Sequence, residues 1–229
     1  MKKILVIAML FCTATVFAQN ITEYCNDGTL KLGIIMHNTT PKDCFAKNST
    51  SSTKIVAAIN GTYFDANGDP EGLVMRSTGF TENMYAYGSG EIRGYLYVTD
   101  TGIYAGKMCP RSISDNSASM WIIGTHPLLV SGGRISMQST EKRYNYNDKD
   151  VPTKAYRSAL GTKDGVHLCM AVSNKPMGMA EWASELFVEG YTQAINLDGG
   201  PISQLVGPNG TFGGGGSNSP TKLIFYFYK

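Results

Sequence analysis

Only one stretch of this chain repeats apolar residues at helical spacing. In residues 179–189, Met179, Trp182, Ala183, Leu186 and Phe187 fall on one helix face, and Gly190 follows where a helix end favours glycine. Elsewhere the apolar residues come in short runs closed by glycine, asparagine or proline. Such runs are too short for helices and suit strands buried in a core. With 26 glycines and 13 tyrosines, the chain is expected to be α+β: a single compact domain, mostly β-strands with one principal helix packed on the sheet. Its 229 residues, 42% hydrophobic, suffice for one such core.

Strands are expected over residues 30–36, 54–59, 94–99, 103–105, 119–123, 128–130, 134–137, 157–161, 166–172, 203–206 and 223–227. Asp100-Thr101-Gly102 and Lys163-Asp164-Gly165 read as hairpin turns. Residues 39–53 and 141–152 read as polar loops, and the glycine- and serine-rich residues 213–220 as a flexible segment.

Residues 1–18 have the form of an export signal: Lys2 and Lys3, an apolar stretch, then Val16-Phe17-Ala18 ahead of a cleavage point before Gln19. The domain is then residues 19–229, periplasmic or extracellular, with no stable membrane insertion expected. Loss of Lys2 and Lys3 brings the 20 basic residues to 18, equal to the 18 acidic ones. A chain so balanced carries no basic stripe for a nucleic-acid backbone, so no nucleic-acid partner is expected. Cys25, Cys44, Cys109 and Cys169 remain, enough for two disulfides. Cys25 with Cys44 is the expected local pair, and Cys169 reads as a small core residue in a buried strand.

The helix leads into Ala194-Ile195-Asn196-Leu197-Asp198-Gly199-Gly200, an apolar run that ends in a carboxylate and turns on two glycines. A strand of this kind presents an acid to a pocket, or else is an Asp-Gly turn between strands. Three other polar residues stand among apolar neighbours. Asn60 closes the run Ala58-Ile59 and precedes Gly61. Arg157 precedes Ser158-Ala159-Leu160. His126 lies between Thr125 and Pro127. Taken singly, each has a structural reading: a turn cap, an ion pair with a structural carboxylate, a half-buried histidine with satisfied partners.

In order, however, the blocks resemble the phosphodiester glycosidase family. The matching pieces are Ala58-Ile59-Asn60-Gly61-Thr62-Tyr63-Phe64-Asp65, residues 124–130 with Gly132-Gly133, Arg157-Ser158-Ala159-Leu160-Gly161, the helix of residues 179–189, and Ala194 through Gly200. The resemblance implies a hydrolase acting on a sugar-1-phosphodiester, with a carbohydrate or sugar phosphate as its partner. It implies catalytic roles for Asp198, Arg157 and Asn60, and substrate contacts from Gly61, Asp65, His126, Gly199, Gly200 and Ser203. Arg157 offers a planar fork for phosphate oxygens. Asp198 stands as nucleophile, base or metal ligand, and a carboxylate stabilises an oxocarbenium-like transition state. Gly61, Gly199 and Gly200 would let backbone N–H groups approach the ligand. A divalent cation, Ca²⁺ or Mg²⁺, is compatible with an aspartate and backbone carbonyls but is not required.

The chain departs from the family pattern after Asp198. Where relatives continue with a third glycine and a serine, Pro201 and Ile202 intervene before Ser203. Proline removes an N–H and fixes φ. The alternative to an enzyme is therefore an inactive carbohydrate- or phosphate-binding module on the same fold. A secreted protein whose glycines only shape turns is the third reading.

Overall fold

A computed structural model describes residues 20–47, 53–65, 67, 71–77, 82–87, 94–107, 120–136, 154–214 and 220–229. The expected export signal, Cys109, the loop of residues 141–152 and most of the glycine-rich segment lie outside the described residues.

In chain order the elements are β1 (Ile21–Cys25), β2 (Lys31–Ile35), α1 (Pro41–Lys47), β3 (Ile55–Asn60), β4 (Leu73–Ser77), β5 (Glu82–Tyr87), β6 (Gly94–Thr99) and β7 (Ile103–Gly106). There follow β8 (Met120–Thr125), β9 (Leu128–Ser131), β10 (Arg134–Ile135), β11 (Ser158–Thr162), β12 (Leu168–Ser173) and α2 (Met179–Val188). The chain closes with β13 (Gln193–Asn196), a 3₁₀ turn (Gly200–Ile202), β14 (Gln204–Gly207), β15 (Gly210–Gly213) and β16 (Ile224–Tyr228). The fold is α+β, as expected. Three antiparallel sheets run in the orders β1-β12-β11-β13-β9-β10, β15-β14-β3-β16-β2 and β5-β4-β8-β6-β7.

One core joins all three sheets. Leu160, Met170 and Ile195 of the first meet Ile59, Leu205 and Phe225 of the second and Val74, Leu96 and Ile123 of the third. The alternating residues of the first sheet point the other way. Ala159, Ala171 and Ala194 pack with Leu129 against Met179, Trp182, Ala183 and Leu186 of α2. The small side chains on that face let the helix lie close, and Trp182 fills the space. Covered on both faces, β11 and β12 are buried at every position, and apart from polar end residues both runs are free of polar side chains. Phe187 was expected on the buried face but is 43% exposed. It sits at the edge of the apolar arc, one position beyond Leu186, where the sheet no longer covers the helix.

Two further expectations are corrected. Residues 39–53 are not wholly loop: Pro41–Lys47 form a short helix, with Thr40 Oγ1 accepting the Asp43 N–H at 3.0 Å in the manner of an N-cap. Cys25 pairs with Cys169 rather than Cys44. The two stand opposite each other in the antiparallel β1–β12 ladder, with Cα atoms 4.0 Å apart. Cys44 is instead a buried cysteine packed with Ile55, Ala58 and Ile224. Proximity along the chain favoured the first pairing, but strand pairing decides which thiols meet.

Candidate active site

The site forms where the first two sheets touch. β13 lies between β11 and β9, inside the first sheet, and runs out at Asn196. Two residues on, Asp198 donates its N–H to the Gly61 carbonyl at 3.0 Å. This ties the end of β13 to the end of β3. Asn60 completes the tie. Its Nδ2 donates to the Asp198 carbonyl at 2.8 Å, while its Oδ1 accepts the Ser158 hydroxyl at 2.8 Å and the Gln204 N–H at 3.1 Å. One side chain thus bolts together β3, β11, β14 and the segment carrying Asp198.

Asn60 was expected to contact substrate directly. The residue is fully buried, and its amide is spent on the protein. It positions Asp198.

The glycines expected at the ligand also make hydrogen bonds within the protein. The Gly61 N–H donates to Leu223 O at 2.7 Å, and a Cβ on Gly61 would stand 2.1 Å from Leu223 Cδ2. Close packing against Leu223 leaves room only for a glycine at this position. The Gly199 N–H turns back onto Asp198 Oδ1 at 2.7 Å, and the Gly200 N–H donates to Tyr156 O at 2.8 Å. Gly200 has a φ of 70°, the left-handed conformation that the turn after Asp198 needs. Ser203 was also expected to contact substrate. The 3₁₀ turn over Gly200–Ile202 tucks it inside, fully buried, with its N–H on Gly200 O at 3.2 Å.

A cavity of about 140 Å³ opens beside this junction. Asp198, Gly199, Gly200 and Pro201 form one wall, with Arg157, Ala155 and Tyr63 around it. Arg157 and Asp198 therefore stand on the wall of one cavity. Arg157 is 2% exposed. Its N–H is anchored on Ser173 Oγ at 2.8 Å and its Nε on Met177 O at 3.1 Å. These bonds hold the guanidinium in one orientation, with Nη1 near Gly199. Burial of a cation is tolerated where hydrogen bonds surround it and an anion can approach.

Tyr63 is a wall residue to which sequence reasoning gave no role. Its ring stacks on His126, centroids 4.5 Å apart and 7° from parallel, and Asn196 Nδ2 reaches its hydroxyl at 2.6 Å. Its place three residues after Asn60 in the same block was the available signal. His126 itself lies behind Tyr63 and is almost wholly buried, with its carbonyl facing Asn196 Nδ2 at 3.4 Å. The His126–Pro127 peptide is cis. Asp65 is not among the residues that wall this cavity. Its Oδ1 accepts the Asn67 N–H at 2.8 Å, an Asx turn.

Asp198 is, among the described residues, the one carboxylate on the cavity wall, and its backbone carbonyl accepts from Asn60. Among the described residues no three His, Cys, Asp or Glu side chains gather as a metal-binding group.

Three antiparallel sheets around one core, with an aspartate and a buried arginine on the wall of a cavity between the first two, define an α+β domain. The chain belongs to the phosphodiester glycosidase family, whose sequence model matches residues 53–224. In structure it is similar to the catalytic domain of zebrafish N-acetylglucosamine-1-phosphodiester alpha-N-acetylglucosaminidase, auto-inhibited by its pro-peptide, with a TM-score of 0.60 and 16% identity over 92% of this chain and 84% of that one. It is also similar to a hypothetical protein from Synechocystis (TM-score 0.56, 14% identity, 91% of this chain and 59% of that one). A putative exported protein from Burkholderia pseudomallei K96243 shares the fold at a TM-score of 0.52 and 10% identity, over 90% and 73% of the two chains. A comparison with curated proteins finds no match. At these identities the structural likenesses speak to the fold.

Proposed function

We propose that this protein is an exported hydrolase that cleaves a sugar-1-phosphodiester bond in a glycoconjugate or surface polysaccharide. The observation that carries the reading is the convergence of Arg157 and Asp198 on one cavity in a chain of the phosphodiester glycosidase family. The substrate has an anionic phosphate beside an anomeric carbon, and the cavity offers one cation and one carboxylate. In this reading Arg157 receives the phosphate oxygens, and its fixed orientation makes the two-pronged contact specific. Asp198 faces the anomeric carbon and stabilises the positive charge that develops there as the C1–O bond breaks. The phosphomonoester departs with the bonding electrons, and water supplies the oxygen that becomes the sugar's anomeric hydroxyl. Tyr63, braced by His126 and Asn196, walls the sugar side.

Export is supported by the leader-like residues 1–18 and by a disulfide suited to an oxidising compartment. Among the described residues no helix is long and apolar enough to cross a membrane.

A binding module on the same fold is the second reading. It is favoured by Pro201 on the cavity wall, which has no N–H, and by the N–H groups of Gly199 and Gly200, which are spent internally. The test incubates the protein from residue 19 onward with UDP-N-acetylglucosamine and a panel of aryl sugar-1-phosphodiesters, with and without EDTA, and measures free sugar. Release of sugar supports the hydrolase. Saturable binding of a sugar phosphate with no release supports the module.

A further inference from the structure

A second cavity, of about 370 Å³, lies among β2, β4, β6, β8, β16 and the turn before β2. Its volume falls within the range of small-molecule sites. It stands at the far end of the second sheet from Asp198. In the β16–β3 register Ile224 is beside Asn60, whereas Tyr228, on the wall of this cavity, is beside Ile55. The four intervening steps span about 13 Å. The two cavities share no wall residue.

Much of the wall is apolar, with Leu32, Val98 and Phe227 among its residues. Two cations stand in it. Arg76 of β4 pairs with Trp121 of β8 across the ladder, and its guanidinium carbon lies 5.5 Å from the centre of the indole ring. Its Nε is buried and meets no hydrogen-bond acceptor. A buried N–H left in that state is costly, and a bound acceptor would relieve it. Lys31 of β2 is exposed on the same wall, and no described residue forms an ion pair with it. One carboxylate, Asp100, stands against these two positive charges. Neighbouring polar side chains are committed elsewhere. Asn26 binds Leu30 and the Gly28 N–H, and Thr99 binds Gly102. Among its described wall residues the cavity therefore combines apolar surface with a net positive charge.

We propose that this cleft is a second ligand site for a small organic anion, a carboxylate or phosphate carried on an apolar body, with the acid group on Arg76 and Lys31 and the body against the aliphatic wall. It is independent of the reaction assigned to Asp198. Trp121 and Trp182 are the only tryptophans, so their indole N–H signals in the ¹⁵N-labelled full domain are assignable with a Trp121→Phe variant. The Arg76 Nε–H signal is assignable with Arg76→Gln. Benzoate, phenyl phosphate and the neutral benzyl alcohol are titrated to millimolar concentration.

The expected result is a saturable shift of the Arg76 and Trp121 signals with benzoate or phenyl phosphate, and none at Trp182, which is sealed in the core. Whichever of the two acids binds more tightly fixes the acid group. Arg76→Gln, and separately Lys31→Ala on the surface, should weaken binding about tenfold, read at Trp121. Asp198→Asn should leave it unchanged. The proposal is overturned if benzyl alcohol shifts the signals as strongly as the acids. It also fails if neither acid shifts them, or if Arg76→Gln and Lys31→Ala both bind like the wild type.

Discussion

Asn60 and Asp198, 138 residues apart, are joined by a 2.8 Å hydrogen bond from the Asn60 amide to the Asp198 carbonyl. The bond sets where the acid stands relative to both sheets. Asn60→Ala would leave the Asp198 carbonyl, the Ser158 hydroxyl and the Gln204 N–H without this partner. The expected loss is about 3 kcal/mol of stability, with Ser158→Ala costing about 1 kcal/mol. Urea midpoints measure both, and equal midpoints for the wild type and Asn60→Ala would refute the bolting role.

The glycines at the site should respond unequally to alanine. A methyl on Gly61 meets Leu223 Cδ2 at 2.1 Å and Leu223 O at 2.6 Å, whereas around Gly200 the space is open and only its φ of 70° resists a side chain. Gly200→Ala is expected to cost about 1 kcal/mol. Gly61→Ala should cost more, up to about 3 kcal/mol, because backbone must move. Thermal melts of the two variants give the order.

The Cys25–Cys169 bridge closes 144 residues of chain. Replacing both cysteines with alanine should lower stability by about 3 kcal/mol. Reductant should then lower the melting temperature of the wild type but not of the variant.

Acid sensitivity has a local source at the β11–β12 turn. The Asp164 carboxyl is held well below its ordinary pKa by the backbone N–H of His167 first, then by the His167 ring, the Val166 N–H and, more weakly, the Thr162 hydroxyl. A carboxylate with a depressed folded-state value stabilises the fold fully above its unfolded value of about 3.9. That contribution is lost as pH falls from there through the folded value. Asp164→Asn should therefore lower the urea midpoint at pH 7, and the gap from wild type should narrow below about pH 4. A gap that stays constant with pH would mean that the carboxylate's charge plays no part.

Much of this arrangement is written locally. The single helical period of residues 179–188 gave α2, and the closed apolar runs gave β3, β11, β12 and β16, because buried periodicity depends on few distant contacts. The Asp198 turn and Arg157 were visible as polar groups set among apolar ones. What was hidden depends on pairing. β1, β4 and β15 carry weak patterns and are strands because neighbours complete their hydrogen bonds. The partner of Cys25 was fixed by ladder register. The difference between Asn60 as ligand contact and Asn60 as bolt rests on Ser158 and Gln204, which approach it only in the folded chain.

In the proposed reaction Asp198 acts on the anomeric carbon of a glycosyl phosphodiester bound by Arg157. Its most direct test is release of free sugar by the wild type and by Asp198→Asn, on whichever sugar-1-phosphodiester of the panel turns over, with melting curves confirming that both are folded. The variant should turn over at least about a hundredfold more slowly while still binding the substrate. An Asp198→Asn protein that releases sugar at the wild-type rate would contradict the account.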